Sequence, residues 1–499
     1  MTTTDDLRTT PATDTFGFEA TPVAAIAGCV AAARAAYDDG RTRPLHWRLA
    51  TLAAVRDALV SREVDLLEAL RLDLGKPVFE AWTADVGFGI KEVDHAVAHL
   101  RAWMKPQRVR TPVTFKPGVS RIVPESLGVV CVIAPWNYPV QLSIQPMVAA
   151  VAAGNAVVVK PSELAPASAA VIADIITRLA DPALQVVQGG VAETTELLAQ
   201  RFDHLFYTGN GKVARVVMAA AAEHLTPVTL ELGGKSPAIV TADANLDVAA
   251  HRIVWGKFLN AGQTCIAPDY VLVDRSVHDA LVERMVAVVT EFYGDDPQQS
   301  PDYARIVNSS HFHRIEKLLD SGTVAVGGVT DPDTRYVAPT ILTDVARDAP
   351  AMADEIFGPV LPVLATDGLD DALSVVNAGD KPLALYVFSE RKAEVADVLD
   401  RTSSGGACVN GTIFHVSNPD LPFGGVGPSG MGAYHGKFGF DTFSHQRAVH
   451  IRSTRLDPPM MYPPFTEQKE ALLRKGFALP DPRDLAKTVR ARLGRPPGA

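Results

Sequence analysis

From Pro22 to Leu74 apolar residues recur three and four positions apart in Ala-, Leu- and Arg-rich sequence, the spacing of helices with one buried face. The pattern predicts helices over 23–37 and 45–74, the second stopped by Gly75-Lys76-Pro77, since Gly and Pro terminate helices. A further helix is predicted over about 85–104, ahead of the Pro-punctuated stretch 105–124. The chain then changes character. Short apolar runs at 129–134, 156–159, 185–187, 205–207 and 228–230 alternate with helical patterns at 140–153, 165–179, 193–200 and 212–224. Such alternation predicts an α/β fold with a parallel sheet covered on both faces, whose ligands bind beyond the carboxyl ends of the strands. After Pro237 a second α/β pattern begins, with helices near 248–259, 278–293, 309–319, 369–377 and 392–400. A Gly/Ser/Asn-rich stretch at 403–432 continues into 434–450, read as a terminal strand.

Composition narrows the class without naming a fold. At 499 residues the chain exceeds what one core usually supports, which predicts two or three domains. The formal charge of −10 is dispersed along the chain, which suits a soluble protein and argues against a nucleic-acid surface. Cys29, Cys131, Cys265 and Cys408 form no CxxC pair, so neither a zinc site nor a disulfide framework is encoded, and no metal is expected. Free thiols fit a reducing compartment, and the polar start of the chain lacks the features of a signal peptide, so the expected location is the cytoplasm. Residues 1–21 are expected to be disordered. The longest apolar stretch, 148–159, is interrupted by Gly154 and Asn155 and is too short to cross a bilayer.

Three motifs invite a misreading. Gly425-Val426-Gly427-Pro428-Ser429-Gly430 spells a dinucleotide fingerprint, but no strand precedes it and Pro428 opposes the strand-turn-helix that the fingerprint requires. Gly234-Lys235-Ser236 resembles the end of a P-loop, with Thr229 where the first glycine belongs. An apolar stripe at Leu485, Val489 and Leu493 among arginines resembles a membrane-surface helix, but a solvated or partner-packed helix is the preferred reading.

Cys265 closes Asn260-Ala261-Gly262-Gln263-Thr264-Cys265, just after a Gly-containing turn. A lone cysteine is commonly a small buried hydrophobe. Upstream, however, Glu231-Leu232-Gly233-Gly234-Lys235-Ser236-Pro237 ends a predicted strand in a carboxylate, and its two glycines allow close approach of a ligand or another backbone. These segments occur in order with Pro135-Trp136-Asn137-Tyr138-Pro139, Lys160-Pro161-Ser162-Glu163, Tyr207-Thr208-Gly209, Glu355-Ile356-Phe357-Gly358-Pro359 and Pro422-Phe423-Gly424-Gly425. The whole series resembles the aldehyde dehydrogenases over residues 25–455. The stretches around 262–270 and 423–445 are most similar to the class 3 branch, which acts on fatty and aromatic aldehydes.

The resemblance implies a Rossmann-type NAD(P)-binding domain at 22–107 and 127–229 and an α/β catalytic domain at 230–428. It further implies oligomerisation strands at 108–126 and 429–455, a tail at 456–499, and a homodimer. Cys265 is then the nucleophile, because an aldehyde releases hydride readily only after a nucleophile makes its carbon tetrahedral. The Asn137 side chain and the Cys265 amide hold the oxyanion, and Glu231 activates the water that hydrolyses the thioester. For the cofactor, the likeness assigns Lys160 and Glu163 to the adenosine ribose, with Trp136 and Ser162 beside them. Thr208, Gly209, Asn210 and Val213 fall near the pyrophosphate and adenine, and Leu232, Gly233, Glu355 and Phe357 near the nicotinamide end. Ala214 and Lys212 depart from the usual pattern of that helix turn. A carboxylate at Glu163 accepts ribose hydroxyls and repels a 2′-phosphate, which favours NAD while leaving NADP possible. Two other enzymes fit the same nucleophile, a coenzyme A-acylating dehydrogenase and a non-redox thiol esterase.

Overall fold

The computed structural model describes residues 16–112, 115–457 and 459–478. Four helices open it: α1 (Val23–Asp38), α2 (Leu45–Ser61), α3 (Glu63–Leu74) and α4 (Gly87–Trp103). The single helix expected over 45–74 is thus broken at Arg62, whose φ of −106° leaves helical space. Glu63 and Asp65 then occupy the first turn of α3, where acidic groups favour a new helix start, and Arg62 Nε donates to Asp65 at 2.6 Å. The helix expected from 85 begins instead with a π-helical turn, Ala81–Val86, which carries Asp85 into the interior. Thr21, expected to close a disordered segment, is anchored instead. The Thr21 amide donates to the Gln188 carbonyl at 2.8 Å and its hydroxyl accepts from the Gln188 amide at 3.0 Å. Residues 1–15 and the basic stripe at 485–495 lie outside the described residues.

The first sheet contains β1 (Val129–Ile133), β2 (Ala156–Lys160), β3 (Leu184–Val186), β4 (His204–Thr208) and β5 (Val228–Glu231). Between them run α5 (Pro139–Ala153), α6 (Pro166–Arg178), α7 (Val191–Ala199) and α8 (Gly211–Glu223). These five strands are parallel in the order β5-β4-β1-β2-β3, so the chain reverses its direction of growth between β1 and β4, where a crevice opens at the carboxyl ends. β1, β2 and β4 are buried throughout, as expected of strands covered on both faces. On one face Ile26, Val30 and Ala33 of α1 join Val129, Cys131, Val158 and Tyr207 in one apolar cluster.

The second sheet is built on β6 (Pro237–Val240), β7 (Tyr270–Asp274), β8 (Thr323–Val326), β9 (Thr340–Thr343), β10 (Val360–Thr366), β11 (Ala384–Phe388) and β12 (Gly406–Val409). Their order is β8-β9-β10-β7-β6-β11-β12, with α9 (Leu246–Phe258) and α10 (His278–Tyr293) among the connecting helices. A short strand, β13 (Gly430–Met431), returns to the first sheet and pairs antiparallel with β5.

Both sheets belong to one compact unit, residues up to Trp103 with Ser126–Ser444. The described residues of 104–125 and 445–478 form a second unit, and its three-stranded sheet uses Gln107–Val109, Gly118–Ser126 and Ser444–Arg452. The boundary expected at 429 therefore falls near 445. The intervening segment was read as strand, but Gly436–Thr442 is a helix packed on α4 and α5, and Gly439 lies so close to Ala149 that an added Cβ would sit 2.9 Å from that residue's Cβ.

Candidate active site

Cys265 follows α9 through a turn that most sequences could not adopt. Asn260, Ala261 and Gly262 are all left-handed, at φ 53°, 50° and 73°. Positive φ in non-glycine residues is strained and persists only where surroundings over-determine it. Here the Asn260 amide donates to a Glu80 carboxylate oxygen at 2.9 Å, and the Asn260 side chain donates to the carbonyls of Asn137 (2.9 Å) and Gln263 (3.2 Å). Gly262 has no alternative, because a Cβ there would lie 2.3 Å from the Gly358 carbonyl oxygen. The buried Gln263 side chain donates to the Asn260 and Arg305 carbonyls and accepts from the Val307 amide. Tyr386 of β11 donates to the Ile266 carbonyl, one residue beyond the thiol.

Asn137 lies between β1 and α5, nearly fully buried, and its side chain donates to the Gln263 carbonyl at 3.0 Å. The oxyanion candidate is therefore tied directly to the nucleophile's loop. Glu231 is the last residue of β5, and β13 flanks it in register with Gly430 opposite. Both its carboxylate oxygens are buried without a hydrogen-bond partner among the described residues. Burial consequently pushes Glu231 well above the ordinary carboxylate range. Cys265 is also raised, first by burial and then by the negative charges of Glu355 and Glu231, while the amides of Cys265 and Ile266 act in the opposite sense.

Cys265 and Glu231 share the wall of one cavity of about 530 Å³, lined by Phe79, Trp255, Phe292, Tyr293, Phe414 and Phe423. This largely apolar, aromatic-bearing surface suits an apolar ligand. The other predicted residues gather at the carboxyl ends of the first sheet. Lys160 ends β2 and forms an ion pair with Glu163, and Ser162 between them accepts from the Leu164 amide at 3.3 Å. Thr208 ends β4 with a buried hydroxyl that has no partner among the described residues. Gly209 cannot bear a side chain, since a Cβ would sit 2.2 Å from the Tyr207 hydroxyl. Asn210 caps α8 by accepting from the Val213 amide at 3.0 Å, and Val213 stands exposed on the first turn. Ala214, where glycine is commoner, is buried and accommodated. Leu232 donates from its amide to the Ser429 carbonyl at 3.1 Å. Gly233 abuts Glu355, whose carboxylate would lie 2.0 Å from an added Cβ. Burial pushes Glu355 up to about 8, although it accepts from the Gly234 amide. Phe357, at φ 46°, packs edge-on to Trp136 at 5.4 Å.

The misleading motifs resolve structurally. Lys235 pairs with Asp269 at 2.5 Å and donates to the Ala351 and Asp354 carbonyls, so it is a strut between loops. The Gly425–Gly430 segment is a tight turn leading into β13, with the Ser429 hydroxyl accepting from the Val426 amide at 2.9 Å.

Residues 10–449 match the model of the aldehyde dehydrogenase family. The chain belongs to that family. It is 48% identical over 439 residues to aldehyde dehydrogenase family 3 member A2 of Pongo abelii, spanning 87% of this chain and 90% of that one. Identity is also 48% to the dimeric NADP-preferring aldehyde dehydrogenase of Canis lupus familiaris, over 88% of this chain and 98% of the relative. Among solved structures, a substrate-bound Staphylococcus aureus AldH superposes with a TM-score of 0.89 at 44% identity, covering 91% of this chain and 99% of its own. This aldehyde dehydrogenase oxidises an aldehyde with NAD or NADP, and the coenzyme A-acylating and esterase readings are not favoured.

Sequence reasoning missed several groups that build the dehydrogenase's site. Lys76 was read as part of a helix stop and Asp85 as the start of a helix, yet both are fully buried beneath Asn137. Glu80, a cavity-wall acid pushed up to about 7 by burial, was not noticed, because nothing in its local pattern marks a residue that will meet Asn260 across 180 positions.

Proposed function

We propose that Cys265 attacks the aldehyde carbon, that Asn137 and the Cys265 amide hold the resulting oxyanion, and that Glu231 activates the water releasing the acid. The observation carrying this reading is the shared cavity wall of Cys265 and Glu231, with Asn137 bonded to the loop between them. Cys265 must first lose its proton, and the raised affinity of Glu231 for protons makes it a competent acceptor on the wall of the same cavity. Carbon–sulfur bond formation then places negative charge on the former carbonyl oxygen, where preorganised N–H donors lower the barrier most. A bound nicotinamide dinucleotide supplies the acceptor for the hydride released as the adduct collapses to a thioester. Once Glu231 has passed the thiol's proton on to solvent, it takes a proton from water as the water oxygen adds to the thioester carbon; the carbon–sulfur bond then breaks as the acid forms, and the proton on Glu231 returns to the sulfur.

The crevice residues fit such a cofactor. Lys160 and Glu163 offer a donor and acceptors for a ribose, the buried unpartnered Thr208 hydroxyl lies at the same sheet edge, and Glu355 with Phe357 would hold the nicotinamide half. Glu163 supports NAD as the preferred dinucleotide with NADP accepted, whereas a relative is named NADP-preferring. The aromatic cavity supports medium- to long-chain aliphatic or aromatic aldehydes as substrates.

We also infer a homodimer, supported by a relative named dimeric and testable by light scattering. A cytoplasmic location is supported by four free cysteines and testable by fractionation. Among the described residues no helix is long and apolar enough to cross a membrane. The deciding experiment is an aldehyde panel with NAD and NADP, run on wild type, Cys265→Ala and Glu231→Gln. Wild-type oxidation by Cys265→Ala would sink the assignment.

A further inference from the structure

We propose that the buried Lys76–Asp85 pair is the positioning device for the oxyanion donor, clamping the Asn137 turn in register with the Cys265 loop. The inference rests on the reading of Asn137 given above.

Both side chains are wholly inaccessible, and Lys76 Nζ lies 2.6 Å from Asp85 Oδ2. The same ammonium donates to the Asn137 carbonyl at 2.8 Å and sits 3.9 Å over the Tyr138 ring. Tyr138 in turn shares a 2.7 Å hydrogen bond with the Thr264 hydroxyl, next to the nucleophile. Asp85 uses its other oxygen to accept from the Val140 and Gln141 amides at 3.2 Å, standing at the positive end of α5. The five-residue turn 137–141 is thereby held at its first carbonyl and at its last amide by one ion pair. From the opposite side, Asn260 Nδ2 grips the same Asn137 carbonyl, and Asn137 Nδ2 reaches Gln263.

Fold stability alone is a poor reason for this arrangement. Two desolvated charges commonly gain little over well-packed apolar side chains of similar volume, whereas hydrogen bonds radiating from them fix direction. An oxyanion donor needs direction, because a displacement of about 1 Å at a reacting centre costs roughly 100-fold in rate. Lys76 and Asp85 act through the 137–141 turn, at the Asn137 carbonyl, the Tyr138 ring and the Val140 and Gln141 amides.

The test replaces the pair in the full-length protein by an apolar one, Lys76→Met with Asp85→Leu. Thermal melting, NADH affinity and the pre-steady-state burst of aldehyde oxidation are measured, with and without Asn137→Ala. We expect near-native melting and NADH affinity, a burst slowed roughly 10- to 100-fold and little change in KM. In the Asn137→Ala background the same two substitutions should cost less than about threefold more, since coupled residues are not additive. A wild-type burst rate in the apolar variant, or a full further loss in the Asn137→Ala background, overturns the proposal. If the apolar variant does not accumulate folded, Asp85→Asn carries the test, because it keeps an acceptor for the two amides while discharging the pair. A wild-type burst there overturns the proposal equally. Wild-type oxidation by Asn137→Ala alone would instead remove the oxyanion reading beneath it.

Discussion

The Cys265 loop and the rim of the cofactor crevice are built by opposite rules. Around the thiol, a run of three left-handed residues is held at Asn260 by Glu80 and Asn137 and hemmed in at Gly262 by the Gly358 backbone. At the rim, Lys160 has Glu163 as its ion-pair partner, Asn210 merely caps its own helix, and Val213 is exposed. A nucleophile must meet a carbonyl carbon at fixed distance and angle, so strain and redundancy are tolerated there. A dinucleotide must enter and leave, so its contacts are polar ends that can exchange partners. Rigidity is concentrated where bonds are made.

That contrast orders the expected losses. Cys265→Ala should abolish aldehyde oxidation, lowering kcat/KM by roughly 10³-fold or more, with NADH affinity retained because the rim is untouched. Glu231→Gln should lower steady-state turnover by about 10²- to 10⁴-fold while a reduced burst of NADH persists, since acylation loses one proton acceptor whereas deacylation loses its base. Equal loss of burst and turnover would detach Glu231 from hydrolysis. The same residue sets a pH limb. Its proton affinity is raised, so the base form accumulates only above the usual carboxylate range, and wild-type turnover should fall as pH drops through that raised value. Rate-versus-pH profiles of Glu231→Gln should lack this limb. Gly262→Ala, which forces a Cβ to 2.3 Å from the Gly358 oxygen at φ 73°, should destabilise the fold by about 1–3 kcal/mol in urea titration and slow the burst. At the rim, Glu163→Gln should move the NADP-to-NAD ratio of kcat/KM by only a few-fold, on the order of 1 kcal/mol. A larger shift than that of Gly262→Ala would erase the distinction drawn between the two regions.

The same two regions differ in how far they could be read beforehand. The crevice follows from period: short buried strands alternating with helices give a parallel sheet, whose carboxyl ends lie at Lys160, Thr208 and Glu231, although the roles of these residues came from motif resemblance. Around the thiol, Cys265, Asn137 and Glu231 came from motif resemblance, because the bond that joins the Asn137 turn to the Gln263 loop crosses 126 residues. Lys76 and Asp85 were illegible for a different reason. A lysine between Gly75 and Pro77 looks like a solvated helix stop, and its burial depends on a π-helical turn that rotates Asp85 inward, which residue periodicity does not encode. The helix Gly436–Thr442 was missed because it is short and glycine-bearing, and its packing against α4 and α5 overrides local preference.

One pairing makes the enzyme's assembly a matter of timing. The strand that presents Glu231 has its outer edge closed by Gly430 and Met431, and the Leu232 amide just beyond it is held by Ser429. A ribosome that has released 420 residues has therefore delivered the thiol and every parallel strand of both sheets, but not the border that finishes the base's strand. The edge that closes the base's strand is thus made late, after the thiol and the parallel strands it borders.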